Sequence, residues 1–218
     1  GIVGESGSGK SVASMAILGL LPKSARITGD VRFMGRPILG LPEKELDELR
    51  GARIAMIFQD ALAALNPVFK VGKQIAEAIT VHQSFGAKEL QARVVELLEI
   101  VGIPNPVERA EQYPHEYSGG MRQRAMIAMS IANQPDVLIA DEPTTALDVT
   151  IQAQVLEVLE RIQDRTSSSI MLITHDLGVV AGVADRVMVM YAGRQVELGD
   201  VEPIFYEPRH YYTQGLLA

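Results

Sequence analysis

The chain has 218 residues, room for one large domain with a small insert and too few for two independent enzymatic domains. With 47% hydrophobic and 22% charged residues it can build a packed core, which excludes wholesale disorder. The net charge of -7 lacks the basic excess of a protein that grips a phosphate backbone, and the absence of cysteine excludes disulfides, thiolate metal sites and cysteine nucleophiles.

In chain order, Ile2-Val3 reads as the end of an apolar strand, Gly4 to Gly9 as a glycine-rich turn, and Lys10 to Leu21 as a helix stopped by Pro22. The apolar run from Val12 to Leu21 falls well short of the ~20 residues that span a bilayer, and no small-residue cleavage site follows it. The chain opens without Met, so it is expected to begin inside a longer protein. Val31 to Met34 followed by Gly35 predicts a strand and turn, Glu43 to Leu49 a short helix, and Arg53 to Phe58 a buried strand. Apolar residues at helical spacing from Val71 to Val101, and a further helix from Ser118 to about Asn133, make the middle block helical. Strands are then expected at Val137 to Ala140, Ile170 to Ile173, Arg186 to Met190 and Gln195 to Leu198, with a helix from Ile151 to Ile162. Strands alternating with helices indicate parallel pairing, hence an α/β fold with a mainly parallel sheet. Its core is expected over 1–58 and 136–199, with an inserted α-helical subdomain over 59–135 and the start of a C-terminal extension at 200–218.

Gly4-Glu5-Ser6-Gly7-Ser8-Gly9-Lys10-Ser11 matches G-x-x-x-x-G-K-[ST] in full, between a strand and a helix as a phosphate-binding loop requires. Glycines let the backbone turn its N–H groups inward, the helix N-terminus adds positive dipole, Lys10 supplies charge for the β- and γ-phosphates, and Ser11 offers a hydroxyl to Mg²⁺. A nucleotide-bound Mg²⁺ also wants a carboxylate at the C-terminal end of a neighbouring strand, where Asp141 follows Val137-Leu138-Ile139-Ala140. Glu142, one residue on, is placed to polarise a water in line with the γ-phosphate.

Gln59 ends the strand Ile54 to Phe58, where its amide can reach Mg²⁺ or the attacking water. His175 follows the strand Ile170 to Thr174 in the same way, and its imidazole can donate to the γ-phosphate. Ser118-Gly119-Gly120 precedes a helix beginning Met121-Arg122-Gln123-Arg124, a second helix N-terminus with free amides and a capping hydroxyl. Met121, Met126 and Met129 are assigned to packing, and Arg122 and Arg124 to a solvated face.

Taken together, Gly4 to Ser11, Gln59, Tyr117-Ser118-Gly119-Gly120-Met121, Val137 to Glu142, Ala146-Leu147-Asp148 and His175 stand in the order of an ABC-type ATPase, which the chain resembles over essentially its whole length. The resemblance implies a P-loop NTPase (RecA-like) core and identifies these segments with the Walker A motif, Q-loop, signature motif, Walker B motif with its catalytic glutamate, D-loop and switch histidine. It further implies that two such subunits, identical or sister, sandwich two ATP molecules, each held between one Walker A motif and the partner's signature. Ser118, Gly119, Gly120 and Asp148 would then serve nucleotide in the dimer. The signature departs from the usual Leu-Ser-Gly-Gly-Gln at Tyr117 and Met121. Ser-Gly-Gly-Met-Arg-Gln-Arg, Leu65-Asn66-Pro67 and His210-Tyr211-Tyr212-Thr213 resemble the oligopeptide/dipeptide and nickel importer branch, although Tyr211 stands where that branch has proline. In this family an aromatic upstream of Walker A stacks on adenine and the branch commonly carries a C-terminal extension, so the chain is expected to be truncated at both ends.

The expected function is therefore ATP hydrolysis, with ATP and Mg²⁺, powering import of peptides or related small solutes. The expected partners are integral membrane permease subunits, a second ATPase subunit and, indirectly, a solute-binding protein, with no nucleic acid, at the cytoplasmic face of the membrane. The competing reading is an ABC-type ATPase acting on nucleic acid or the ribosome, which the acidic composition disfavours. A P-loop nucleoside kinase or GTPase would lack the Ser-Gly-Gly helix.

Overall fold

A computed structural model describes residues 1–60, 64–145 and 148–217. In chain order the elements are β1 (Ile2–Val3), α1 (Lys10–Ile17), β2 (Arg32–Phe33), β3 (Arg36–Pro37), α2 (Glu43–Leu49), β4 (Ile54–Ile57), α3 (Val71–Thr80), α4 (Ala87–Ile100), α5 (Pro106–Ala110), a 3₁₀ turn (Pro114–Glu116), α6 (Gly119–Ser130), β5 (Val137–Asp141), α7 (Val149–Thr166), β6 (Ser169–Thr174), α8 (Leu177–Val183), β7 (Arg186–Tyr191), β8 (Arg194–Asp200), α9 (Val201–Tyr206) and α10 (Tyr211–Leu217). The chain forms two compact units, Gly1–Arg50 with Met171–Ala218, and Gly51–Ile170.

In the first unit β1 lies between β6 and β7 and pairs with both in parallel, Ile2 opposite Ile173 and Met188. β8 is antiparallel to β7, because only two residues separate them and parallel strands need a long crossover. Those residues, Ala192 (φ 47°) and Gly193 (φ 78°), both have positive φ, the geometry that matches the twist of a hairpin. The core of this unit is Val3, Leu177, Val180, Val187, Val189 and Ile204, against which Phe205, Tyr212, Leu216 and Leu217 of α9 and α10 pack. Helix α1 stops at Ile17, short of the Leu21 expected from its apolar run, because Gly19 turns to φ 63°.

In the second unit β4 and β5 are parallel, with Ile54 to Ile57 opposite Val137 to Ala140. All four β4 residues are buried, as a continuous apolar run in a parallel sheet should be. The helices bury one stripe each: Val71, Ile75 and Ile79 on α3, Val94, Leu97 and Leu98 on α4, and Val155, Val158, Leu159 and Ile162 on α7. Gln74 interrupts the α3 stripe yet is buried, because its amide satisfies the loop before the helix: it accepts from Asn66 N–H (2.8 Å) and donates to the carbonyls of Asn66 (3.0 Å) and Phe69 (2.9 Å).

Candidate active site

The phosphate-type loop lies in the first unit. Gly4 is buried, and a Cβ there would come within 2.2 Å of the Met190 carbonyl oxygen, so the loop leaves β1 in contact with β7 backbone that only glycine permits. Gly9 (φ 96°) turns the chain into α1, whose N-terminus has no side-chain cap. Two further contacts hold the loop: Ser8 N–H donates to the Glu5 carbonyl (3.2 Å), and Gly193 N–H of the hairpin turn donates to the Ser8 carbonyl (3.0 Å). Lys10 is 4% exposed and folds back so that Nζ donates to the carbonyls of Gly4 (2.7 Å) and Glu5 (2.9 Å). These two hydrogen bonds hold its ammonium at the mouth of the turn. Ser6 and Gly7 form the exposed crown, and Ser11 is half-buried in the first turn of α1. The buried Ser8 hydroxyl has no hydrogen-bond partner among the described residues, unusual for a polar group out of contact with water. His175 belongs to the same unit and is exposed just beyond β6, on the wall of a cavity of ~510 Å³ shared with Leu177, Phe205 and Leu217.

The acidic residues lie in the second unit. Asp141 closes β5 and is 5% exposed. Glu142 follows at φ 48°, a left-handed backbone that a side chain bearing Cβ adopts at a cost of about 1 kcal/mol or more. Its Oε2 accepts from Gln59 Nε2 (3.1 Å) and from the Thr145 hydroxyl (2.8 Å), so the carboxylate is aimed by two neutral donors. The sequence reading singled out Glu142 and Gln59 separately and missed Thr145. The signal was a hydroxyl three residues beyond an acid that leaves a strand, close enough to reach back to it.

Also in this unit, Ser118 caps α6, its Oγ accepting from Met121 N–H at 3.3 Å. Gly120 is buried against α7, where a Cβ would sit 2.8 Å from Ile151 Cγ2, whereas Gly119 is exposed with nothing among the described residues within 4 Å of a Cβ position. Asp148 caps α7 by accepting from Ile151 N–H at 2.9 Å; Ala146 and Leu147 beside it lie outside the described residues. Tyr117, in the usual leucine position, is 3% exposed and its hydroxyl donates to the Arg109 carbonyl at 2.9 Å. Burial pushes that phenol up to about 12. Arg122 and Arg124 do not form a solvated face. Both are half-buried: Arg122 donates to the Tyr117 carbonyl (2.7 Å), and Arg124 to the Gly102 carbonyl (2.9 Å) and Gln154 Oε1 (2.5 Å). Chain ends of helices and turns offer carbonyls that a flexible guanidinium satisfies better than water at a crowded surface.

The ABC transporter family profile matches residues 1–145. The chain belongs to the ABC transporter family. All of it aligns with the oligopeptide transport ATP-binding protein OppD of Bacillus subtilis at 58% identity, covering 61% of that protein. It is 57% identical to the dipeptide transport ATP-binding protein DppD of the same organism, covering 65% of it. DppD of Escherichia coli is 54% identical, with 67% covered. The chain thus spans under two thirds of the two Bacillus relatives. Among solved ABC structures it resembles the dimeric cassette MJ0796 bound to ADP and Pi (TM-score 0.79, 26% identity, 92% of this chain and 84% of that one). It also resembles cbiO1 of Clostridium perfringens, part of the transporter complex cbiONQ (TM-score 0.80, 29% identity, 94% and 78% covered). The fold is therefore that of an ABC ATPase, an α/β P-loop NTPase core.

Proposed function

We propose that the protein is the ATP-hydrolysing subunit of an ABC importer, powering uptake of di- or oligopeptides through a separate membrane permease. The observation that carries the reading is the Glu142 carboxylate, held by Gln59 and Thr145 directly after Asp141, in a chain that also contains a complete phosphate loop. The two donors hold one oxygen of the carboxylate in a fixed direction, which orients its lone pairs for a water as a general base requires. The relatives named as peptide-transport ATP-binding proteins supply the substrate class.

Triphosphate binding is assigned to Gly4 to Ser11. Their fit rests on the uncapped α1 N-terminus, the buried Lys10 ammonium and the Ser8 hydroxyl, buried with no hydrogen-bond partner among the described residues, all of which gain from an anion. Ser11 in the first unit, and Asp141 and Gln59 in the second, are each assigned to Mg²⁺ by donor type, since hydroxyl, carboxylate and amide oxygens are hard ligands. Mg²⁺ bound there would neutralise charge on the β- and γ-phosphates. His175 is assigned to the γ-phosphate. Ser118, Gly119, Gly120 and Asp148 are assigned to nucleotide on a second cassette, and the space beside Gly119 supports this, because nothing among the described residues lies within 4 Å of a Cβ there. The block 59–135 serves as the signature subdomain that faces the permease, the core comprises 1–58 and 136–199, and the protein works peripherally at the cytoplasmic face. No helix among the described residues is long and apolar enough to cross a membrane.

Glu142→Gln tests the reading. It should retain ATP binding and lower turnover by about 10²-fold or more. Turnover near wild type in the assembled transporter would remove Glu142 from its role.

A further inference from the structure

The phosphate loop is held from outside by a residue near the far end of the chain. Glu5 N–H donates to the Tyr212 hydroxyl at 3.0 Å, across 207 positions of sequence. That N–H belongs to the same peptide unit as the Gly4 carbonyl, which accepts from Lys10 Nζ at 2.7 Å. A trans peptide is planar, with its C=O and N–H pointing to opposite sides, so the two bonds fix one rigid plate from both edges. The plate's orientation sets where the Lys10 ammonium is anchored. If it rotates, the ammonium loses its first acceptor and the turn before Ser8 loses its registry.

Tyr212 is itself braced. Its ring lies against Tyr191 at the end of β7, centroids 4.4 Å apart. Its N–H donates to His210 Nδ1 at 3.1 Å, and the approach to α10 is tied to β8 because Glu197 accepts from the N–H groups of Arg209 (2.8 Å) and His210 (3.1 Å). Thr213, the next residue, is fully buried. Helix α10 therefore presents the phenol from a fixed base.

We infer that Tyr212 is a positioning residue for nucleotide, its hydroxyl holding the Gly4–Glu5 peptide so that the phosphate loop and Lys10 are set before ATP arrives. This rests on the assignment of Gly4 to Ser11 to triphosphate. It adds α10 to the nucleotide site, as a part that touches no phosphate itself.

Tyr212→Phe keeps the ring against Tyr191 and deletes only the acceptor. The loss of one hydrogen bond to a preorganised loop should weaken Mg–ATP and Mg–ADP alike, by about 2- to 10-fold in titrations of the purified protein. In turnover it should raise KM and leave kcat unchanged, because the contact is made before and during chemistry alike. Tyr211→Phe, at a neighbouring ring that is 86% exposed, serves as the control and should change neither. Wild-type affinity in Tyr212→Phe, or a lowered Tm with unchanged affinity, overturns the inference and leaves the phosphate-loop assignment standing. Failure of the unaltered protein to bind Mg–ATP or Mg–ADP overturns both together.

Discussion

Two glycine-rich turns lead into helices in this protein, Gly4 to Gly9 before α1 and Ser118 to Gly120 before α6, and they are built on opposite plans. The first is left open: among the described residues no side chain caps α1 and the buried Ser8 hydroxyl has no hydrogen-bond partner, while Lys10 donates to its own loop's carbonyls. The second is complete in itself, with Ser118 closing the cap, Tyr117 filling the core below and Arg122 returning to the Tyr117 carbonyl. Glycine in the first turn answers to the protein's own backbone, since a Gly4 side chain would meet Met190. In the second, only Gly120 does so, and Gly119 answers to nothing within the described residues. A helix start that is finished yet leaves an unfilled space at one glycine is suited to meeting something that approaches from outside.

The largest effect should come from Gly4→Ala. With a Cβ 2.2 Å from a backbone oxygen the loop must move, costing about 3 kcal/mol or more, and nucleotide affinity should fall below detection. Melting and titration together check this; retained affinity would erase the contrast between the turns. Next come Gly119 and Gly120, tested as a pair. Gly120→Ala should cost about 1 to 3 kcal/mol through Ile151, and Ile151→Ala should recover part of that loss in the double variant. Gly119→Ala should leave Tm unchanged or raise it slightly, since alanine favours helix, while lowering turnover in the assembled transporter. Unchanged turnover would mean that nothing meets the protein at Gly119.

The smallest effect concerns Tyr117. Tyr117→Phe gives up the bond to the Arg109 carbonyl, worth about 0.5 to 1.5 kcal/mol at neutral pH. The folded phenol holds its proton to about 12 and the unfolded one releases it near 10. The unfolded state therefore binds fewer protons between these values, so the Tyr117 contribution is complete below pH 10 and is lost as pH rises through 12. Denaturant midpoints across that range should fall more steeply in wild type than in Tyr117→Phe.

Much of this was legible because local backbone chemistry dictates it. The strand before Asp141, the helix Glu43–Leu49 and the cap at Ser118 follow from apolar periodicity and side-chain capping, which act within a few residues. So did the match of Gly4 to Ser11, whose spacing is set by the turn itself. What escaped was tertiary. Nothing near Glu5 announces that its N–H will meet Tyr212, and the Gly102 carbonyl and Gln154 amide oxygen that claim Arg124 become its neighbours only when α4, α6 and α7 pack. Helix α7 runs from Val149 to Thr166, beyond the Ile151 to Ile162 expected, because Asp148 starts it early and polar residues continue it where the apolar stripe ends. Ala61, Leu62 and Ala63, within the apolar stretch after Gln59, lie outside the described residues.

If Glu142 acts as proposed, the left-handed backbone beneath it sets stability against activity. Of the residues that could stand there, glycine would relax a φ of 48° with least penalty, and it is also one that removes the carboxylate. A library of variants ranked on melting temperature alone should therefore drift toward glycine or asparagine at position 142, and its sturdiest members should be its least active. Engineering this protein for heat resistance would mean holding that one position fixed and seeking the gain elsewhere.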